Sequence, residues 1–273
     1  MRTITALLAA SLFALGCTDE GVEGVAVEYE TTDGLTLRGT YNEQASGPVP
    51  TLILLHQPGP NNSRFDWDPL WSALENRGYA LLAPDLRSHG SSDSDGAWED
   101  LVLDPEKFPK DLIAWLDFLD DRADADGLVS REAIGVLGFG SSGSIVAAAL
   151  GKGWIGCGVA ISPDLESLTA LTPGFDEYDP DEEEARGGDD DDSAAADDPF
   201  ESLDLHTMRY VVSEDDEPSA TDAQTMLDHS SDPTDLLSFP GGSHGADMLW
   251  LSADDDVVNE ARVGMIDWCD GRF

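Results

Sequence analysis

The sequence predicts an α/β protein: a mostly parallel sheet with helices on both faces, entered through an N-terminal β-hairpin. Three observations carry this expectation. From residue 51 onward, apolar runs of strand length alternate with segments of helical period. Within residues 24–41, two alternating runs flank Asp33-Gly34, a hairpin signal. Stretches rich in Gly, His and Ser follow the apolar runs, at the strand C-termini where such sheets present their functional groups.

Thr51-Leu-Ile-Leu-Leu-His56 reads as the first buried strand and Tyr79-Ala-Leu-Leu-Ala-Pro-Asp85 as the second. Between them, in residues 67–77, Leu70, Trp71 and Leu74 share a helical face, and Gly78 ends the helix. Residues 108–122 place Leu112, Trp115, Leu116 and Leu119 on a second face. The acidic run 120–127 reads as a loop into the third strand, 134–139. As a calcium loop it would put Arg122 first and Ala133 twelfth, so both anchoring carboxylates are missing and no metal site is assigned. A small-residue helix over 142–150 leads to a fourth strand over 154–161. Residues 208–213 and 235–239 supply two more strands, with helical stretches near 220–229 and 255–269.

Fifty-six acidic residues against fourteen Lys and Arg give a formal charge of -42. That field repels nucleic acid, which is excluded as a partner. The stretch 176–198, within an acidic low-complexity insert read at 174–199, carries thirteen of these carboxylates and one Arg186, for a local charge of -12. The remainder still holds -30, since -42 minus -12 leaves that value. Such a surface resembles those of salt-adapted proteins, and folding is expected to gain from ionic strength.

Met1-Arg2-Thr3, the apolar run 4–15 and Gly16-Cys17 form a segment too short to span a bilayer and shaped like a secretory signal. Ala14-Leu15-Gly16-Cys17 resembles a bacterial lipobox. Residues 1–16 are therefore read as a lipoprotein-type signal peptide with Cys17 as the acylated residue. Residues 17–23 form a tether, and 24–273 the folded domain. The reading implies export to the cell envelope and membrane contact through the lipid anchor only; plain secretion is the alternative. An oxidising compartment permits a bridge between Cys157 and Cys269, and sequence alone does not show whether they meet; because Cys157 lies in a buried apolar run, the preferred reading is an unpaired small hydrophobe.

The strand ends carry a series of motifs. They are Leu54-Leu-His-Gln-Pro-Gly59, Pro84-Asp-Leu-Arg-Ser-His-Gly-Ser-Ser92 and Gly138-Phe-Gly-Ser-Ser-Gly143, then Ile161-Ser-Pro163, Val212-Ser-Glu-Asp-Asp216 and Phe239-Pro-Gly-Gly-Ser-His-Gly245. In this order they resemble the α/β-hydrolase family, above all its bacterial dienelactone-hydrolase-like and serine-aminopeptidase-like members, over about residues 25–270. The resemblance implies the α/β-hydrolase fold and a site built from a nucleophile, an acid and a histidine. Family members carry Gly-x-Ser-x-Gly at a strand-to-helix elbow. In register with Ile134-Gly-Val-Leu-Gly138, the nucleophile position is Gly140, which has no oxygen with which to form an acyl-enzyme. Ser141 serves as a substitute only if the strand slips or bulges by one residue, which puts Phe139 where a tiny side chain belongs. Both Ser141 and Ser142 also fit the first turn of the following helix.

By the same resemblance His244 matches the catalytic base and Asp216 the acid that orients it, with Asp215 the near alternative. The backbone N–H groups of Gln57 and Ser141 match the oxyanion donors. Gln57 stands where the family often has Gly, and narrows the pocket. His56 and the series Asp85, Arg87 and His89 are read as structural. No cofactor is implied, because no Lys-Ser/Thr follows Gly138-Phe-Gly-Ser-Ser-Gly143. Two functions fit this pattern. One is a pseudohydrolase, weakly catalytic or non-catalytic, whose pocket binds a small ester- or amide-like ligand or a partner. The other is an active hydrolase of esters, lactones or small amides that uses Ser141 with His244 and Asp216.

Overall fold

The computed structural model describes residues 24–43, 47–176, 199–250, 255–270 and 272. The readings made for residues 1–23, Cys17 included, and for the acidic run at 177–198 lie outside them. The strands are β1 (Val25–Glu30), β2 (Thr36–Asn42), β3 (Val49–Leu55), β4 (Ala80–Asp85), β5 (Val129–Phe139), β6 (Cys157–Ile161), β7 (Met208–Ser213) and β8 (Thr234–Phe239). They form one sheet in the order β1-β2-β4-β3-β5-β6-β7-β8. β1 and β2 pair antiparallel, as do β2 and β4, and every later pairing is parallel. Gly34, at φ 85°, makes the hairpin turn.

The helices are α1 (Asp68–Glu75), α2 (Trp98–Leu101), α3 (Phe108–Asp126), α4 (Ser141–Gly151), α5 (Leu165–Leu171), α6 (Ser219–Asp228), α7 (Asp247–Trp250) and α8 (Asp255–Trp268). The central strands are unbroken apolar runs because helices cover both faces of the sheet. Leu52 and Leu54 of β3 pack with Trp67, Leu70, Trp71 and Leu74 on one side. Their neighbours Ile53 and Leu55 pack with Phe108, Leu112 and Trp115 on the other. The period-2 alternation of a strand thus feeds two cores.

Three expectations are corrected. The acidic run after residue 120 is the end of α3 rather than a loop; Gly127, left-handed at φ 69°, stops the helix. Arg131 bridges back to Asp120 and Asp124 at 2.8 Å each, offsetting part of the carboxylate repulsion there. β5 begins at Val129, not 134. Its polar start at Ser130, Arg131 and Glu132 carries no apolar signal, yet Val129 pairs with Val49. Finally, Cys157 and Cys269 form a disulfide, with Cα atoms 5.8 Å apart. Cys157 faces the side of the sheet covered by α8, beside Met265, Ile266 and Trp268. Which face a distant helix covers is not written in the sequence around either cysteine.

Candidate active site

The site is assembled from the loops at the C-terminal edge of the sheet, each tied down by buried polar groups. His56 directly follows β3 and is fully buried. Its Nδ1–H donates to the Gln57 carbonyl at 2.9 Å, and its Nε2 accepts from the Leu86 N–H at 3.0 Å. His89 is held alike: Nδ1–H donates to the Arg87 carbonyl at 2.8 Å, and Nε2 accepts from the Gly59 N–H at 2.9 Å. Burial, with the neighbouring His89, pushes the His56 imidazole down to about 4, and burial pushes His89 down as well. Both rings are therefore neutral at pH 7, and each links the loop after β3 to the loop after β4.

The rest of the loop after β4 is anchored by two acids. Asp85 accepts from the Arg64 and Ser91 backbone N–H groups at 3.0 and 2.8 Å, and pairs with the Arg64 guanidinium. Gly90, at φ 49°, lets the chain close over it; a Cβ there would lie 2.2 Å from Asp85 Cγ. Arg87 is buried against Asp111 of α3 at 2.7 Å and reaches Asp33 of the hairpin turn at 2.9 Å. Burial raises the Asp111 carboxyl to about 6 despite the guanidinium beside it. His56, Asp85, Arg87 and His89 are thus scaffold, as their sequence context suggested.

Between β5 and α4 stands Gly140, with φ 57° and ψ -130°, a conformation that L side chains rarely adopt. Its N–H donates to the Ile161 carbonyl at 2.8 Å, fixing the turn against β6. The glycines on either side are required by packing. A Cβ on Gly138 would lie 2.5 Å from the Ser142 carbonyl oxygen, and one on Gly143 3.0 Å from that of Gly138. Strand and helix therefore meet in the register with Gly140 at the turn. Ser142 is buried, and its hydroxyl donates to the His56 carbonyl at 2.8 Å. Ser141 begins α4; its hydroxyl donates to Asp164 Oδ2 at 3.3 Å and accepts from the Ser167 hydroxyl at 2.9 Å.

The other half of the site comes from the loops after β7 and β8. Their backbones are stitched together by Glu214 N–H to the Phe239 carbonyl at 2.7 Å and Asp215 N–H to the Gly241 carbonyl at 2.8 Å. That pairing turns Asp216 inward, and its two carboxylate oxygens lie 2.9 and 3.1 Å from His244 Nδ1. Asp215 is exposed and is not the partner. Asp216 is 7% exposed, whereas the His244 side chain is 43% exposed and open to a ligand. Ser162, at φ 49°, accepts the Gly245 N–H at 2.9 Å and so holds the histidine loop against the end of β6.

Gln57 follows His56, and its side chain lies against Gly140 and Gly245. The Ser141 N–H belongs to the first turn of α4, where no helical acceptor exists. The Gln57 side chain thus lies against both the turn at Gly140, which Ser141 follows, and Gly245, the residue next to His244. Sequence reasoning missed the partners of Ser141. The signal was present in Asp164 and Ser167: the Asp164 carboxylate caps α5 by accepting the Ser167 N–H at 2.6 Å. Among the described residues no group of His, Cys, Asp and Glu is placed to hold a metal ion.

A parallel sheet with these loop-end motifs defines an α/β-hydrolase-type protein, and the chain belongs to that family: the alpha/beta hydrolase family model matches residues 52–261. Solved structures agree on the fold. An esterase from Pyrococcus furiosus is similar at 20% identity and a TM-score of 0.63, over 91% of each chain. A dienelactone hydrolase from Anabaena variabilis is similar at 14% identity and a TM-score of 0.63, over 92% of this chain and 98% of that one. An acylaminoacyl peptidase from Pyrococcus horikoshii, at 12% identity and a TM-score of 0.60, matches 92% of this chain with 42% of its own. A search of curated proteins returns no match.

Proposed function

We propose that this chain is an exported, lipid-anchored pseudohydrolase that binds a small ester- or amide-like ligand and performs little or no acyl transfer. One observation carries the reading. The turn with positive φ is occupied by Gly140, while both neighbouring serine hydroxyls are engaged elsewhere, Ser141 with Asp164 and Ser167, Ser142 with the His56 carbonyl. In this reading Gly140 holds the nucleophile position, and no hydroxyl is presented to His244. The His244–Asp216 pair keeps a binding role. With Nδ1–H turned to the carboxylate, Nε2 keeps its lone pair for a ligand's donor. The backbone N–H groups of Gln57 and Ser141 receive the ligand's carbonyl oxygen.

Export is supported by the signal-like segment ending at Cys17 and by the Cys157–Cys269 disulfide, a bond that persists in oxidising compartments. A Cys17→Ser variant is expected to lose the membrane fraction and fatty-acid label of the wild type.

The test of chemistry is fluorophosphonate labelling of the folded, signal-less protein, with mass mapping of the modified residue. Wild type is expected to remain unlabelled. Label at Ser141 would overturn the reading and establish the alternative, an active hydrolase using Ser141, His244 and Asp216.

A further inference from the structure

The side chain of Gln57 lies between two glycines from distant parts of the chain. A Cβ on Gly140 would stand 3.2 Å from Gln57 Cγ, 3.4 Å from Cδ and 3.5 Å from Nε2. A Cβ on Gly245, next to His244, would stand 2.0 Å from Gln57 Oε1 and 3.0 Å from Cδ. The carboxamide thus spans from the β5–α4 turn to the histidine loop, filling the space that a side chain at 140 would enter. It is half-buried, and among the described residues it has no hydrogen-bond partner. Gly245 sits at φ 54°, so glycine is favoured there on backbone grounds as well as on space.

We propose that Gln57 takes the place of the nucleophile's side chain. Positions 57 and 140 then form one steric unit, and the carboxamide is the side-chain group that meets a ligand's carbonyl beside His244. The inference rests on the reading that Gly140 holds the nucleophile position. Its physical content is that the site is closed to acyl transfer by two residues. A serine at 140 brings a Cβ into close contact with Gln57 Cγ, and its hydroxyl, one bond further out, competes with the carboxamide for the same volume. Restoring the hydroxyl alone leaves that competition in place. Removing the glutamine side chain alone opens the space without supplying oxygen.

Four forms of the protein test this: wild type, Gln57→Ala, Gly140→Ser and the double variant. Each is read by thermal midpoint and by the rate of fluorophosphonate labelling, with mass mapping. Wild type and Gln57→Ala are expected to stay unlabelled. The double variant is expected to label at position 140 at least about tenfold faster than Gly140→Ser, a coupling of ordinary size for side chains in contact. The loss of midpoint caused by Gly140→Ser is expected to be smaller in the Gln57→Ala background. If Gly140→Ser fails to fold, Gly140→Ala tests the same contact by midpoint alone, with the larger loss expected when Gln57 is present. Equal labelling of single and double variants, or no labelling of either when both are folded, overturns the pairing. Label on wild-type Ser141 overturns the underlying reading, and the inference with it.

Discussion

The two buried histidines show how single residues set a loop in place and what that costs in acid. Free in an unfolded chain, an imidazole titrates near 6.5; in the fold, burial brings His56 down to about 4. Between those values the unfolded state holds a proton that the folded state does not. Stability from this source is complete above the unfolded value and is lost as pH falls through the folded one. A His56→Gln variant removes the titration. It is expected to be less stable than wild type at pH 7 because two buried hydrogen bonds are disturbed. The gap in urea midpoint is expected to shrink as pH falls from 7 to 5. A constant gap would mean that His56 is not held neutral. Taking the difference between variants cancels the response of the many carboxylates. The same scale shows what the sequence reveals and hides. Gly140 can be placed because the neighbouring strand has only one register that keeps its core-facing side chains inside. The pose of Gln57 cannot, because it depends on two glycines that only the folded chain brings beside it.

Among the elements, strands buried on both faces are easily read, since each is a continuous apolar run. Those whose existence rests on capping or pairing are harder. The last turn of α3 is rich in Asp, and its C-cap Gly127 outweighs composition. The seven-residue α5 has too few residues to display a period, and only its Asp164 cap announces it. The β6–α8 link was likewise hidden, and it has an energetic consequence. The disulfide joins residues 112 apart in sequence. Closing a loop of that size in the unfolded chain restricts it by up to roughly 4–5 kcal/mol in the chain-entropy account. Replacing both cysteines by serine, or adding reductant to wild type, is expected to lower the thermal midpoint, while reductant leaves the double variant unaffected. Unchanged melting of the reduced wild type would show that packing alone holds α8 on the sheet.

Across the whole molecule the decisive quantity is charge, which is fully legible in the sequence. Fourteen cationic side chains face fifty-six acidic ones. Some cations are committed to local pairs, such as Arg77 with Asp267 and Asp270, and Arg131 with Asp120 and Asp124. Exposed pairs of this kind contribute little, because water screens them, and they weaken further in salt. Repulsion among the unpaired carboxylates also weakens in salt, and it outnumbers them. The net effect is expected to be stabilising: the thermal midpoint should rise from low salt to molar KCl, where the Debye length falls to about 3 Å. Equal midpoints would remove the proposal of salt adaptation.

The Cys157–Cys269 bond also imposes an order of events. Cys157 is synthesised as part of β6, yet its partner follows only after β7, β8 and the helices around them. At roughly 5–20 residues per second, the 112 residues that follow Cys157, up to and including Cys269, take about 6–22 s to make. Throughout that interval Cys269, the partner of Cys157 in the fold, does not yet exist. The clasp on this side of the sheet can therefore close only as a late step, after the strands it secures have been made, so that oxidation seals an architecture whose parts are already complete.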